Sequence, residues 1–450
     1  MVPNTKTNSG RLVTGRTLGM FKTPRALLGV GTAILWTAIL IANQPADRRG
    51  AIGPGSRESA EQYYARISAE LEFASLGFSA EPAQTTIDSL LQFIGYSIAV
   101  SVIEAAEPDA LMNPSRFGSL AGLPPNDIFV GGGTLRDGDI LATRFFAPKI
   151  VNVDAEQRVP GWRKLVRLRT RPDAKAARSG ILSTVILFNY LVSVGEGPFR
   201  GPSVNTQVML IAPSKPDRLY WLDFSANGKL SLALNASFDA KDLGGNRDYF
   251  VPDGCNNCHG SPGNSAVPMI NYLDTDNWFD RLDDDFVALK DSGTAVVFDA
   301  GTNDTSQPAF AKAFDVIRRF NEEALGQNSA VHPESFETEA ARTWLRLHAT
   351  SDARVLPERR GFSTTRQAVW QPSEADGVRL LSRYCFRCHG SVFFSVFDRA
   401  TVLDNAGVIR QRIAPSDEQK ASVGFAMPPD RTMPQADVEA LDLFLRNLSR

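Results

Sequence analysis

All four cysteines of this chain, Cys255, Cys258, Cys385 and Cys388, lie in two copies of one five-residue pattern, C-x-x-C-H. The first copy sits in "DGCNNCHGSPG" and ends at His259; the second sits in "YCFRCHGS" and ends at His389. With 4 cysteines and 4 histidines in 450 residues, chance would supply roughly 3 × 10⁻⁴ such matches. Two matches that use every cysteine are therefore a built feature. Each needs a local fold that brings two thiols and an imidazole to one place.

A C-x-x-C loop suits zinc, a redox disulfide or thioether bonds to haem. The adjacent histidine separates the three. Covalent haem needs two thiols to add to the vinyl groups and an imidazole right after them to reach the iron, and C-x-x-C-H supplies all three from one turn. A zinc site would have to combine the two units across some 130 residues of sequence and use histidines adjacent to cysteines. A thioredoxin-like dithiol has no use for the histidine. The expectation is two covalently attached haem c groups, held at Cys255 and Cys258 with His259 as proximal ligand, and at Cys385 and Cys388 with His389.

The second unit has a richer context. "EADGVRLLSRYCFRCHGS" places Gly377, Leu380, Leu381 and Tyr384 at helical spacing before Cys385, and "GFAMPPDRTMPQADVEALDLFLRNL" follows His389. Over about residues 372–449 the chain resembles class I cytochrome c, in which a G-x-x-L helix leads into C-x-x-C-H, an M-P-P loop follows and a terminal helix closes the domain. The resemblance implies Met427 as the distal iron ligand, with Met433 as its rival, and His/Met ligation raises a reduction potential. One departure is the short interval between His389 and Met427, which implies a trimmed domain with an exposed haem edge.

No M-P-P loop follows Cys255–His259. His348, in "ARTWLRLHATS" with Trp344 one turn before it, is the expected distal ligand of the first haem. Met269, His332 and an open or water-bound iron are the alternatives.

The N-terminus supplies a compartment. Arg11, Arg16, Lys22 and Arg25 precede the uncharged, apolar run Ala26–Ala42, and a polar stretch follows. A basic leader before an apolar core describes an export signal or signal anchor, here expected to stay uncleaved and to leave the bulk of the chain on the periplasmic side of the inner membrane. Lys+Arg 48 against Asp+Glu 50 excludes a dedicated nucleic-acid binder, which needs a basic surplus. Attachment of c-type haem outside the cytoplasm agrees with export.

Between the leader and the first unit the texture changes twice. Residues 59–106 read as helical, with 85–105 as one buried helix. From about 127 to 240, strands 162–171, 181–194, 206–213, 218–225 and 229–235 alternate with turn residues and predict an antiparallel sheet. Arg167, Arg169 and Arg171 are expected on a solvated strand face. Helices return at 276–290, 307–326, 335–349, 373–384 and 435–449.

The expected fold class is multi-domain α+β. Residues 1–50 form the anchor and linker, 51–245 a helical then β-rich domain, 246–365 the first haem module and 366–450 the cytochrome c-like domain. The expected function is an exported dihaem c-type cytochrome passing electrons between its haems and redox partner proteins. A dihaem oxidoreductase such as a peroxidase, acting at the first haem, is the alternative.

Overall fold

The strand-rich segment folds, in a computed structural model, as a six-stranded sheet. The structure describes residues 56–72, 85–122, 127–152, 157–191, 203–215, 217–234, 250–259, 270, 273, 308–333, 336–347, 349, 370–385, 396, 399–413 and 433–448. Strands β1 (Ile140–Asn152), β2 (Gln157–Arg169), β3 (Ser183–Leu191), β4 (Asn205–Ile211), β5 (Leu219–Ser225) and β6 (Leu230–Ser231) pair in chain order. Every pairing is antiparallel.

The pairing register fixes which side chains share a face, because successive residues alternate. Val166, Ile186, Val208 and Leu222 are in register across β2–β5 and form an apolar layer on one face. The other face carries Arg163, Asn189, Asn205, Asp223 and Trp221. Both faces are covered. On the apolar face Lys164 reaches the carbonyls that end α3 (Val100–Ala105), and Tyr220 donates to Glu70 at the end of α1 (Arg57–Glu70). On the polar face sit α7 (Asp253–His259) and α8 (Pro308–Val331), the latter through Glu323. The result is a sheet between two helical layers.

Helix α1 starts at a reciprocal capping box between Ser56 and Ser59, which satisfies two of its open N–H groups. Its paired tyrosines close the exposed edge of β5, where β6 is only two residues long. The Trp221 N–H donates to Tyr63 Oη at 2.7 Å and the Asp223 N–H to Tyr64 Oη at 3.4 Å, while Tyr64 donates to the Ser231 carbonyl at 2.8 Å. Two side chains thus stand in for a missing strand.

The single helix expected over 85–105 is two helices, α2 (Ile87–Phe93) and α3. Gly95 breaks it with φ +98°, and a Cβ there would lie 2.6 Å from Arg171. Only glycine meets both demands without strain. Asp88 then accepts from the Val100 N–H at 2.6 Å and caps the start of α3. Between α3 and β1 lie α4 (Pro108–Met112) and α5 (Pro114–Ala121), and α6 (Lys175–Arg178) joins β2 to β3.

The arginine row on β2 also departs from expectation. Arg169 is exposed, but Arg167 is buried, with its Nε 2.9 Å from Glu323 and an N–H bond to the Gly138 carbonyl at 2.8 Å. Burial lowers the Arg167 pKa while Glu323 supports the charge. Arg171 lies over the Phe129 ring, 4.0 Å from its centroid, a cation–π contact. A counter-charge and a ring distant in sequence draw both side chains inward.

One hydrophobic core runs from Tyr63 on α1 to Trp344 on α9 (Phe336–Leu347). A second core joins α10 (Ala375–Tyr384), α11 (Arg399–Ile413) and α12 (Gln435–Asn447). Helix α11 was not expected. It buries Val402, Ala406, Ile409 and Ile413 at helical spacing within the interval between His389 and Met427. Among the described residues no helix is long and apolar enough to cross a membrane; the leader and the expected helix at 276–290 lie outside them.

Candidate functional site

Helix α7 contains the whole first C-x-x-C-H. Residues three and four apart on a helix are surface neighbours, so Cys255, Cys258 and His259 occupy one turn. Two residues beyond the C-x-x-C-H turn, Ile270 and Leu273, are bonded through their backbones to α8. Asn321 accepts from the Leu273 N–H at 2.7 Å and donates to its carbonyl at 3.0 Å. Asn328, two turns further along α8, does the same for Ile270 at 2.9 and 2.7 Å. Both amides are buried, so these paired bonds satisfy the chain's own backbone as a strand would.

The sheet supplies surroundings of the C-x-x-C-H turn. The Trp221 and His259 rings lie 4.5 Å apart between centroids, tilted by 42°. Trp221 Nε1 donates to Asn256 Oδ1 at 3.2 Å, so β5 grips both the variable part of the motif and its histidine. Ser59 on α1 donates to Asp253 Oδ2 at 3.4 Å at the head of the turn. Cys255 forms no disulfide and packs on the first core. Burial pushes its thiol well above the usual range, and the Asp223 and Asp253 carboxylates push it further. Burial likewise raises the phenols of Tyr63 and Tyr64. The thiol and both phenols are therefore neutral at ordinary pH.

The second unit starts at the end of α10, where the Cys385 N–H donates to the Leu381 carbonyl at 2.8 Å. Helix α10 crosses α12 at Gly377. A Cβ at that position would fall 2.1 Å from the Phe444 ring, so the close approach requires glycine. Tyr384 donates to Asp437 on α12. Glu374 accepts from Arg399 at the head of α11 at 2.8 Å, and that guanidinium holds the carboxyl below its usual pKa. Asp442 on α12 is lowered in the same way by Arg410 and Arg446.

Of the expected site residues, the structure brings Cys255, Cys258 and His259 together on α7 and places Cys385 at the C-terminal end of α10. Cys388, His389, Met427, His348 and Met269 lie outside the described residues. His332 is buried at the end of α8, one turn beyond the Asn328 clamp, and its N–H donates to the Asn328 carbonyl at 2.7 Å. Met433, the rival to Met427, is buried in the second core. Trp344, one turn before His348, is buried in the first.

Sequence reading missed Trp221, Asn256, Asp223 and the two clamping asparagines. A signal existed in "RLYWLDFS", where a carboxylate interrupts an otherwise apolar strand. The residues on α7, two cysteines and a histidine within one helical turn and the histidine against Trp221, are of the kind that a covalently attached haem needs.

Compared with protein families, curated proteins and solved structures, the chain has no match.

Proposed function

We propose that this chain is an exported dihaem c-type cytochrome that carries electrons between two covalently attached haems and redox partner proteins. The observation that carries the reading is the placement of Cys255, Cys258 and His259 on one helical turn with His259 against Trp221. The close crossing of α10 and α12 at Gly377 and Phe444 supports a cytochrome c-like closure around the second unit. The basic leader and apolar run of residues 11–42 support export and anchoring at the periplasmic face.

In this reading Cys255 and Cys258 hold the first haem and His259 is its proximal ligand, with His348 as the distal candidate. Cys385 and Cys388 hold the second, between His389 and Met427. Each bound haem supplies a one-electron iron couple whose potential the ligands and surroundings set. The protein's part is to fix the imidazole, exclude water from its proximal side and space the two centres. Trp221 and Asn256 hold the attachment turn, and α1 seals the strand that carries Trp221.

Electron paramagnetic resonance and optical spectra of the oxidised protein test this role. Two low-spin, six-coordinate haems are expected. A high-spin component that binds cyanide would instead make the first haem a reaction centre, and the protein an oxidoreductase.

A further inference from the structure

Four buried polar side chains cross the sheet in one continuous row. Arg163 Nε on β2 donates to Asn189 Oδ1 on β3 at 2.9 Å; Asn189 Nδ2 donates to Asn205 Oδ1 on β4 at 2.7 Å; Asn205 Nδ2 donates to Asp223 Oδ1 on β5 at 3.0 Å. Arg163 is 7% exposed, and the other three are fully buried. The direction of the row is set at its start. Arginine has only donors, so Asn189 must turn its oxygen to Arg163 and its NH₂ onward, and Asn205 follows. Every dipole then aims its donor at Asp223. The row thus runs from the Arg163 guanidinium to the Asp223 carboxylate, which accepts from Asn205 Nδ2.

Packing does not require this row. The opposite face of the same four strands is filled in register by Val166, Ile186, Val208 and Leu222. Replacing buried charges by apolar groups of similar size is often neutral or stabilising. The row ends beside the attachment helix. Asp223 shares a face of β5 with Trp221, the residue against His259 and Asn256. Its field reaches the Cys255 thiol and the Tyr64 phenol, and the Asp253 carboxylate faces that thiol as well.

We propose that the Arg163–Asn189–Asn205–Asp223 row holds a fixed anion, Asp223, next to the first attachment turn to lower the potential of the first haem below that of the second. The inference rests on the haem reading above. A nearby anion would stabilise the more positive ferric state of a haem bound at Cys255, Cys258 and His259. Asp223 is a positioning residue in the electrostatic sense: it fixes a charge on the strand that carries Trp221.

The test is a redox titration of the purified protein and two variants, each first assayed for covalent haem. The couple of the first haem is the one lost when Cys255 and Cys258 are both changed to serine. Asp223→Asn keeps the shape and the Asn205 bond but removes the charge. It should shift the ferrous-to-ferric ratio of the first haem at fixed potential at least tenfold toward ferrous, which is about 59 mV for a one-electron couple. Arg163→Gln keeps a donor and removes the cation, and should shift the same couple a smaller amount the opposite way. A loosened structure would move both variants in one direction, so the opposed signs separate charge from packing. Two haems per chain with no shift in Asp223→Asn, or with both shifts of one sign, overturn the proposal. Should Asp223→Asn not fold, a downward shift in Arg163→Gln supports the proposal and an upward shift or none overturns it. Fewer than two haems in the parent protein would overturn the haem reading instead.

Discussion

The helix that carries the first C-x-x-C-H unit rests on a β-sheet, whereas the second unit begins at the end of a helix that crosses another helix. In the first, polar groups carry the arrangement: Tyr63 and Tyr64 seal the strand edge, Trp221 bonds to Asn256, and Asp223 closes a buried row. In the second, shape carries it: Gly377 admits the Phe444 ring, and ion pairs lie around the rim. The first motif is thus backed by a sheet face, and the helix that leads to Cys385 by a helix crossing.

Substitutions should separate the two supports, and the largest effect is expected at the crossing. Gly377→Leu must displace the Phe444 ring and should cost about 3 kcal/mol or more. Thermal unfolding followed by haem absorbance should then lose the second module first, with partial recovery when Phe444→Ala is added. Equal loss at both haems would break the comparison. Next is Lys164→Met on the other side of the sheet. Lys164 Nζ donates to the carbonyls of Ile103 and Ala106, each at 2.9 Å, and to that of Glu104. Leaving these acceptors buried should cost about 2–4 kcal/mol in urea unfolding and weaken the first module alone.

A smaller effect is expected from Trp221→Phe, which keeps a ring beside His259 but loses the bond to Asn256. About 1 kcal/mol of stability should be lost, with a change in the first haem's spectrum and none in the second's. The smallest effect is a pH dependence confined to the second module. Arg399 depresses the Glu374 pKa, so this pair stabilises the fold above the unfolded carboxylate value and the contribution disappears as pH falls through the folded value. The stability gap between the parent and Glu374→Gln should be up to about 1 kcal/mol at neutral pH and close below roughly pH 4. A gap that widened in acid would contradict the sign.

Much of this arrangement was legible in the sequence where the cause is local. The first C-x-x-C-H turn and the strands β3, β4 and β5 set between turn residues all follow from neighbours within a few positions. Gly377 was singled out by its place before Cys385, although its contact, Phe444, lies 67 residues on. What was not legible depends on register. Arg167 looked solvent-facing because Glu323 is far away in sequence, and the helix break at Gly95 is fixed by Arg171. The polar row needs four strands in register before its members meet, so no one of them announces it. Helix α11 was missed because its buried positions are separated by polar and small residues that blur the stripe.

The central claim is that two haems are covalently bound, one on each support, and the most direct measurement is the number that remains per chain after denaturation and acid–acetone extraction. Pyridine haemochrome absorbance with intact mass should give two haems per chain, falling to one when Cys255 and Cys258 are both replaced by serine. One haem in the parent chain, haem released into the extract, or zinc in its place would contradict the account.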